Sequence, residues 1–181
     1  MKITATIILI LILLAFIYLA SLGLFDEVKL EEKQTGPFTV VYEEHIGPYQ
    51  ETGTVQDKIY YKLLNEEKIE TFKGFGIYYD NPKEVAAEEL RSEVGSILEE
   101  KDLDKIDVLK EKGYQIKTIE TQHSIVATFP FKNKLSIMLG IMKVYPAMEK
   151  HIQANNYQPT PSMEIYDVPN KQIIYIFEIK K

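Results

Sequence analysis

Glu164 is the residue best placed to do chemistry. It sits in a short run, Met163-Glu164-Ile165-Tyr166, that otherwise reads as buried strand. Strand alternation puts Glu164 and Tyr166 on one face and Met163 and Ile165 on the other. A carboxylate on a buried sheet face is costly unless a cation, a hydrogen-bond network or a proton compensates it. Such a group serves to receive a cationic molecule or to move a proton; at a sheet edge it simply stands in water. Tyr49, Tyr78, Phe131, Tyr166 and Tyr175 fall at matching places in two halves of the chain. Around a carboxylate these rings suit a flat or cationic ligand held by stacking and cation–π contact; the alternative is plain packing with each hydroxyl satisfied.

Other chemistries find no support. His45, His123 and His151 are widely separated and lack paired ligand spacing, so no metal site is expected. Gly74-x-Gly76 lacks the third glycine and the following helix of a dinucleotide fingerprint, so no cofactor is assigned. Ser96 has no second glycine after it to make a nucleophile elbow. With no cysteine the chain offers no thiolate and no disulfide. Its net charge is −6 with Lys and Glu interspersed, and without a basic stripe no nucleic-acid partner is expected. No catalytic residue is assigned.

The elements that must position Glu164 repeat. Phe38 to His45 reads as a strand that turns at Gly47-Pro48, and Val55, Ile59 and Leu63 mark a helical face. Gly74 to Tyr79 is an aromatic strand stopped by Asp80-Asn81-Pro82. Arg91 to Leu98 is read as strand on the strength of the repeat, Glu99 to Lys105 as a charged loop, and Ile106 and Leu109 as a short helix stopped at Gly113. The second copy opens with Ser124 to Phe129 and turns at Pro130. Asn133 or Ser136 then caps a helix carrying Ile137, Ile141, Val144, Met148 and Ile152, which Pro146 should kink or restart. Met163 to Tyr166 and Gln172 to Ile179 supply the last strands. The expected fold is α+β: pseudo-twofold duplicated β-α-β-β units, a mainly antiparallel sheet, and helices on one face.

Residues 3–25 carry no charge and would make roughly 34 Å of helix, enough for a hydrocarbon core of about 30 Å. They read as a single uncleaved transmembrane anchor. Lys2 on one side balances Lys29 and Lys33 on the other, so the positive-inside count leaves the face of the domain open. Residues 26–36 read as a juxtamembrane spacer and 37–181 as one domain.

The paired aromatic-Pro turns and the Glu164-Ile165-Tyr166 strand resemble the GyrI-like, or bacterial effector-binding, domain family over about residues 38–181. Thr39-Val40-Val41-Tyr42, Glu51-Thr52-Gly53, Tyr78-Tyr79-Asp80-Asn81-Pro82, Val94-Gly95-Ser96-Ile97-Leu98 and Ala127-Thr128-Phe129-Pro130 are similar to a membrane-anchored branch of it. The resemblance implies a pseudo-twofold domain with a ligand cleft between its halves, in which Glu164 would be the strand glutamate that meets cationic molecules. Gly76 stands at the equivalent place in the first half, which implies an asymmetric site. The expected function is a membrane-tethered domain that binds or senses an amphipathic or cationic small molecule through Glu164, Tyr166, Tyr49, Tyr78 and Phe131. The alternatives are a hydrolase of reactive small molecules using the cleft carboxylate, and a module that recruits a protein partner to the membrane.

Overall fold

The computed structural model describes residues 2–181, and among these it has an antiparallel sheet of eight strands and four α-helices, an α+β fold. In chain order the elements are α1 (Lys2–Ser21), β1 (Glu31–Thr35), β2 (Phe38–Ile46), α2 (Thr52–Glu66), β3 (Lys73–Tyr78), β4 (Arg91–Ile97), α3 (Ile106–Glu111), β5 (Gln115–Ile119), β6 (Gln122–Pro130), α4 (Lys134–Ala154), β7 (Ser162–Asp167) and β8 (Gln172–Glu178). The strand order β1-β6-β8-β7-β3-β4-β2-β5 is the same pattern read from either edge. Strands β2, β3, β4 and β5 of one half correspond to β6, β7, β8 and β1 of the other. The halves join at the β3–β7 pair, where Gly76 lies opposite Glu164.

Alternation along each strand sorts side chains into two cores. On one sheet face α2 buries Ile59 and Leu63 against Val41 and Leu98. On the same face α4 buries Leu139, Val144, Met148 and Ile152 against Ile125, Phe129, Ile173 and Phe177. The other face buries Val40, Phe75, Ile97, Val126, Met163, Ile165 and Ile176 with strands alone. Strands of both halves share that core without a helix to cover it, so the sheet curls on itself. Helix α4 starts on a capping box: the Asn133 side chain accepts from the backbone of Leu135 and Ser136, and the Asn133 amide donates to the Ser136 hydroxyl. It then runs unbroken through Pro146, contrary to the expected restart. Val144 and Met148, both fully buried on either side of the proline, hold the helix to the sheet.

The amino-terminal boundaries differ from those expected. Helix α1 stops at Ser21, where Gly23 takes a left-handed φ of 91°, and Leu22 turns into the core under α4. Leu24, Val28 and Leu30 pack on the same core, and β1 pairs with β6 from Glu31↔Val126 to Thr35↔Gln122. Residues 26–36 are therefore an integral edge of the domain and not a spacer. Three side chains pin the exit of α1. Lys143 Nζ donates to the carbonyls of Gly23, Leu24 and Asp26 at 3.3, 2.7 and 2.5 Å, Lys132 Nζ to that of Ser21 at 2.5 Å, and Asn133 Nδ2 to the Tyr18 hydroxyl at 2.9 Å. The helix expected over residues 3–25 is thus shorter than its apolar run. Among the described residues no helix is long and apolar enough to cross a membrane.

Candidate functional site

Strand β7 places Ser162, Glu164 and Tyr166 on the helix-covered face and sends Met163 and Ile165 into the opposite core, as alternation requires. Glu164 is only 2% exposed. Its Oε2 accepts from the Tyr166 hydroxyl at 2.5 Å and its Oε1 from the Tyr145 hydroxyl of α4 at 2.8 Å. Tyr145 has a single proton and gives it to the carboxylate, so at 2.9 Å it accepts from the Ser162 hydroxyl. Among the described residues no Lys, Arg or His pairs with Glu164.

Burial pushes the Glu164 carboxyl above its ordinary range, against the two phenol hydrogen bonds that pull it down. Desolvation therefore outweighs hydrogen bonding. Burial also lifts Tyr145 and Tyr166 well above the ordinary phenol, and the Glu164 charge adds to the effect. Tyr78 is raised for the same reasons and interacts with the hydroxyls of Tyr166 and Thr52. Tyr175, cross-strand neighbour of Glu164 on β8, is raised by burial too, and its hydroxyl has no partner among the described residues. The cluster thus holds its phenols neutral around a carboxyl that resists ionisation.

Two ring pairs stand over this floor. Tyr49 meets Tyr78 edge to face with centroids 4.8 Å apart, and Phe131 meets Tyr166 the same way at 5.6 Å. These are equivalent pairs from the two halves: Tyr49 follows Pro48 and Phe131 follows Pro130. The Tyr49 hydroxyl lies 3.0 Å from the Asp80 carbonyl and 3.1 Å from that of Arg91, and accepts from the Asp80 amide at 3.0 Å. Its polar end is satisfied by backbone while its ring faces Tyr78. All four rings are partly exposed, and the hydroxyl of one, Tyr166, meets the buried carboxylate.

The structure therefore brings together Glu164, Tyr166, Tyr49, Tyr78 and Phe131, the residues singled out in the sequence. It adds Tyr145, Ser162 and Thr52, which sequence reasoning missed. Two surface hollows of about 580 and 330 Å³ lie elsewhere, one beside Phe72 and Lys101 and the other between Tyr42, Lys62 and Tyr114. Neither touches the carboxylate. His123 and His151 both approach Glu32 of β1, with His151 Nε2 2.8 Å from its Oε1.

A family model for the GyrI-like small molecule binding domain matches residues 27–179. The chain belongs to this family. The GyrI-like match begins at residue 27, in accord with the structural role of β1. Human testis-expressed protein 264 is 33% identical over 168 residues, covering 89% of this chain and 51% of the relative, so the chain spans about half of that protein's length. Among solved structures the GyrI-like fold is similar to the carboxy-terminal domain of EcmrR, with a TM-score of 0.59 at 12% identity, covering 85% of this chain and 98% of that one. It is also similar to SAV2435 bound to tetraphenylphosphonium, with a TM-score of 0.51 at 11% identity, covering 86% and 94%.

Proposed function

We propose that this GyrI-like domain binds an amphipathic or cationic small molecule at a membrane, with Glu164 as the charge partner and Tyr49, Tyr78, Phe131 and Tyr166 as the walls. One observation carries the reading: a buried carboxylate with phenol partners and, among the described residues, no cation is bonded to a ring of one of two partly exposed ring pairs. A cation entering between the rings gains cation–π contact and relieves an uncompensated buried charge. The phosphonium ligand of SAV2435, a lipophilic cation on a similar fold, supports the same class. The membrane part rests on α1, whose side chains from Ile7 to Tyr18 include apolar residues more than half exposed all round the helix. A helix apolar on every side belongs in an apolar phase.

The test is calorimetric titration with tetraphenylphosphonium and with neutral triphenylphosphine oxide. Glu164→Gln should weaken the phosphonium by about 1.5–3 kcal/mol, the Coulomb attraction of two unit charges about 6–10 Å apart at an effective dielectric of about 20, or roughly ten- to hundredfold. The neutral compound should scarcely respond. Unchanged phosphonium affinity would refute the assignment. A second reading, acid–base hydrolysis, draws on the phenols of Tyr166 and Tyr145 at 2.5 and 2.8 Å from the carboxylate. Turnover of an ester or epoxide that Tyr145→Phe abolishes would favour it.

A further inference from the structure

Helix α4 carries an exposed apolar stripe that its packing does not explain. Met138 is 52% exposed, Ile141 43% and Met142 64%, while Leu139, Val144 and Met148 on the other side of the same helix are buried. Three- and four-residue spacing places the three residues on one face, and the next residue along that face is Tyr145. Tyr145 is the α4 side chain that donates to Glu164. The stripe thus ends one side chain short of the buried carboxylate, at Tyr145. Its other end lies near the start of α4, where Asn133 hydrogen-bonds Tyr18 in the last turn of α1. Phe131, wall of the second ring pair, immediately precedes Lys132 and Asn133, two of the three residues that pin the exit of α1.

We propose that Met138, Ile141 and Met142 form the seat for the alkyl tail of an amphipathic cation whose head sits at Glu164. The inference rests on the cation-binding reading above and adds the shape of the ligand. Two features on one helix face specify it: a negative, buried end at Tyr145 and Glu164, and an apolar end beside a helix that itself seeks an apolar phase. From Met138 to Tyr145 the face runs about 10 Å, the reach of a medium alkyl chain. Methionine thioethers are flexible and polarizable and accept chains of irregular shape. A compact cation would use the rings and the carboxylate alone.

The experiment uses the full chain in phosphatidylcholine nanodiscs, with empty nanodiscs as the blank, and two probes of equal charge: decyltriphenylphosphonium and tetraphenylphosphonium. The double variant Met138→Ser with Met142→Ser should weaken the decyl compound about tenfold, through lost apolar contact, and the compact one by less than about twofold. Both positions are exposed, so the melting temperature should hold; Met142→Gln alone is the milder variant should the double one melt early. Equal losses for both probes, or no loss for the decyl compound, would overturn the tail seat. Glu164→Gln run alongside separates the two readings. If it leaves both probes unaffected, the cation site itself fails; if it weakens both while the methionine variants do not discriminate, only the tail seat falls.

Discussion

Tyr78 and Tyr166 are equivalent residues of the two halves, and each folds back along its own strand onto the position two residues before it. The Tyr166 hydroxyl meets Glu164 at 2.5 Å, whereas that of Tyr78 lies 2.7 Å from where a β-carbon on Gly76 would stand. Gly76 and Glu164 face each other across β3 and β7. A second acid at 76 would set two carboxylates on directly opposed positions, within about 5.5 Å at their β-carbons. The glycine keeps the centre of the repeat to a single negative group and makes room for the Tyr78 phenol.

The raised Glu164 pKa fixes the sign of a pH effect. Above its ordinary value of 4.5 the folded protein holds this proton more tightly than the unfolded chain does. The stabilisation is complete below that value and is lost as pH rises through the folded one. Glu164→Gln and the parent should therefore melt together near about pH 4, and the variant should gain on the parent toward pH 7. Melting curves at several pH values check this, and a constant difference would show that the carboxyl titrates normally.

Two glycines should respond in opposite directions. A β-carbon on Gly95 of β4 would lie 2.0 Å from the Val41 carbonyl and 2.9 Å from the Tyr42 Cα, both backbone that cannot yield. Gly95→Ala should cost about 3 kcal/mol or prevent folding. Gly53 in the first turn of α2 has nothing within 4 Å. Gly53→Ala should stabilise by about 0.4–1 kcal/mol. Urea titrations of the pair measure both.

The domain boundary is equally open to test. A chain starting at residue 22 keeps Leu22, Leu24, Val28, Leu30 and β1, and should unfold cooperatively. One starting at residue 36 loses them; burial of Leu22 alone is worth about 1.5–3 kcal/mol. The shorter chain should melt clearly lower. Equal melting temperatures would mean that β1 adds nothing to the fold.

Membrane association through α1 predicts that the full chain floats with phosphatidylcholine vesicles in a density gradient, and that the chain starting at residue 22 does not. A full chain that stays at the bottom of the gradient would remove the membrane from the proposed function.

Much of the site was legible because strand alternation is local. Met163-Glu164-Ile165-Tyr166 assigns its own faces, and the repeated aromatic-Pro turns bring Tyr49 to Tyr78 and Phe131 to Tyr166. Strand β1 was not legible. Glu31, Glu32 and Lys33 read as solvated spacer because an edge strand tolerates charge on its free side, and only Thr35 of this strand is buried. Strand β5 follows Gly113 with alternation too short to stand out. Tyr145 escaped because its role depends on where α4 lies over β7, a tertiary relation that no spacing within the helix reports.

The grip of Lys143 on the carbonyls of Gly23, Leu24 and Asp26 changes what kind of joint links α1 to the sheet. Lys143 and Tyr145 are two residues apart on the same helix. The segment that leaves α1 is therefore fastened to the helix that donates to the carboxylate, and not only to the edge strand that follows it. The anchor of the domain and the lid over its buried acid are one piece of secondary structure.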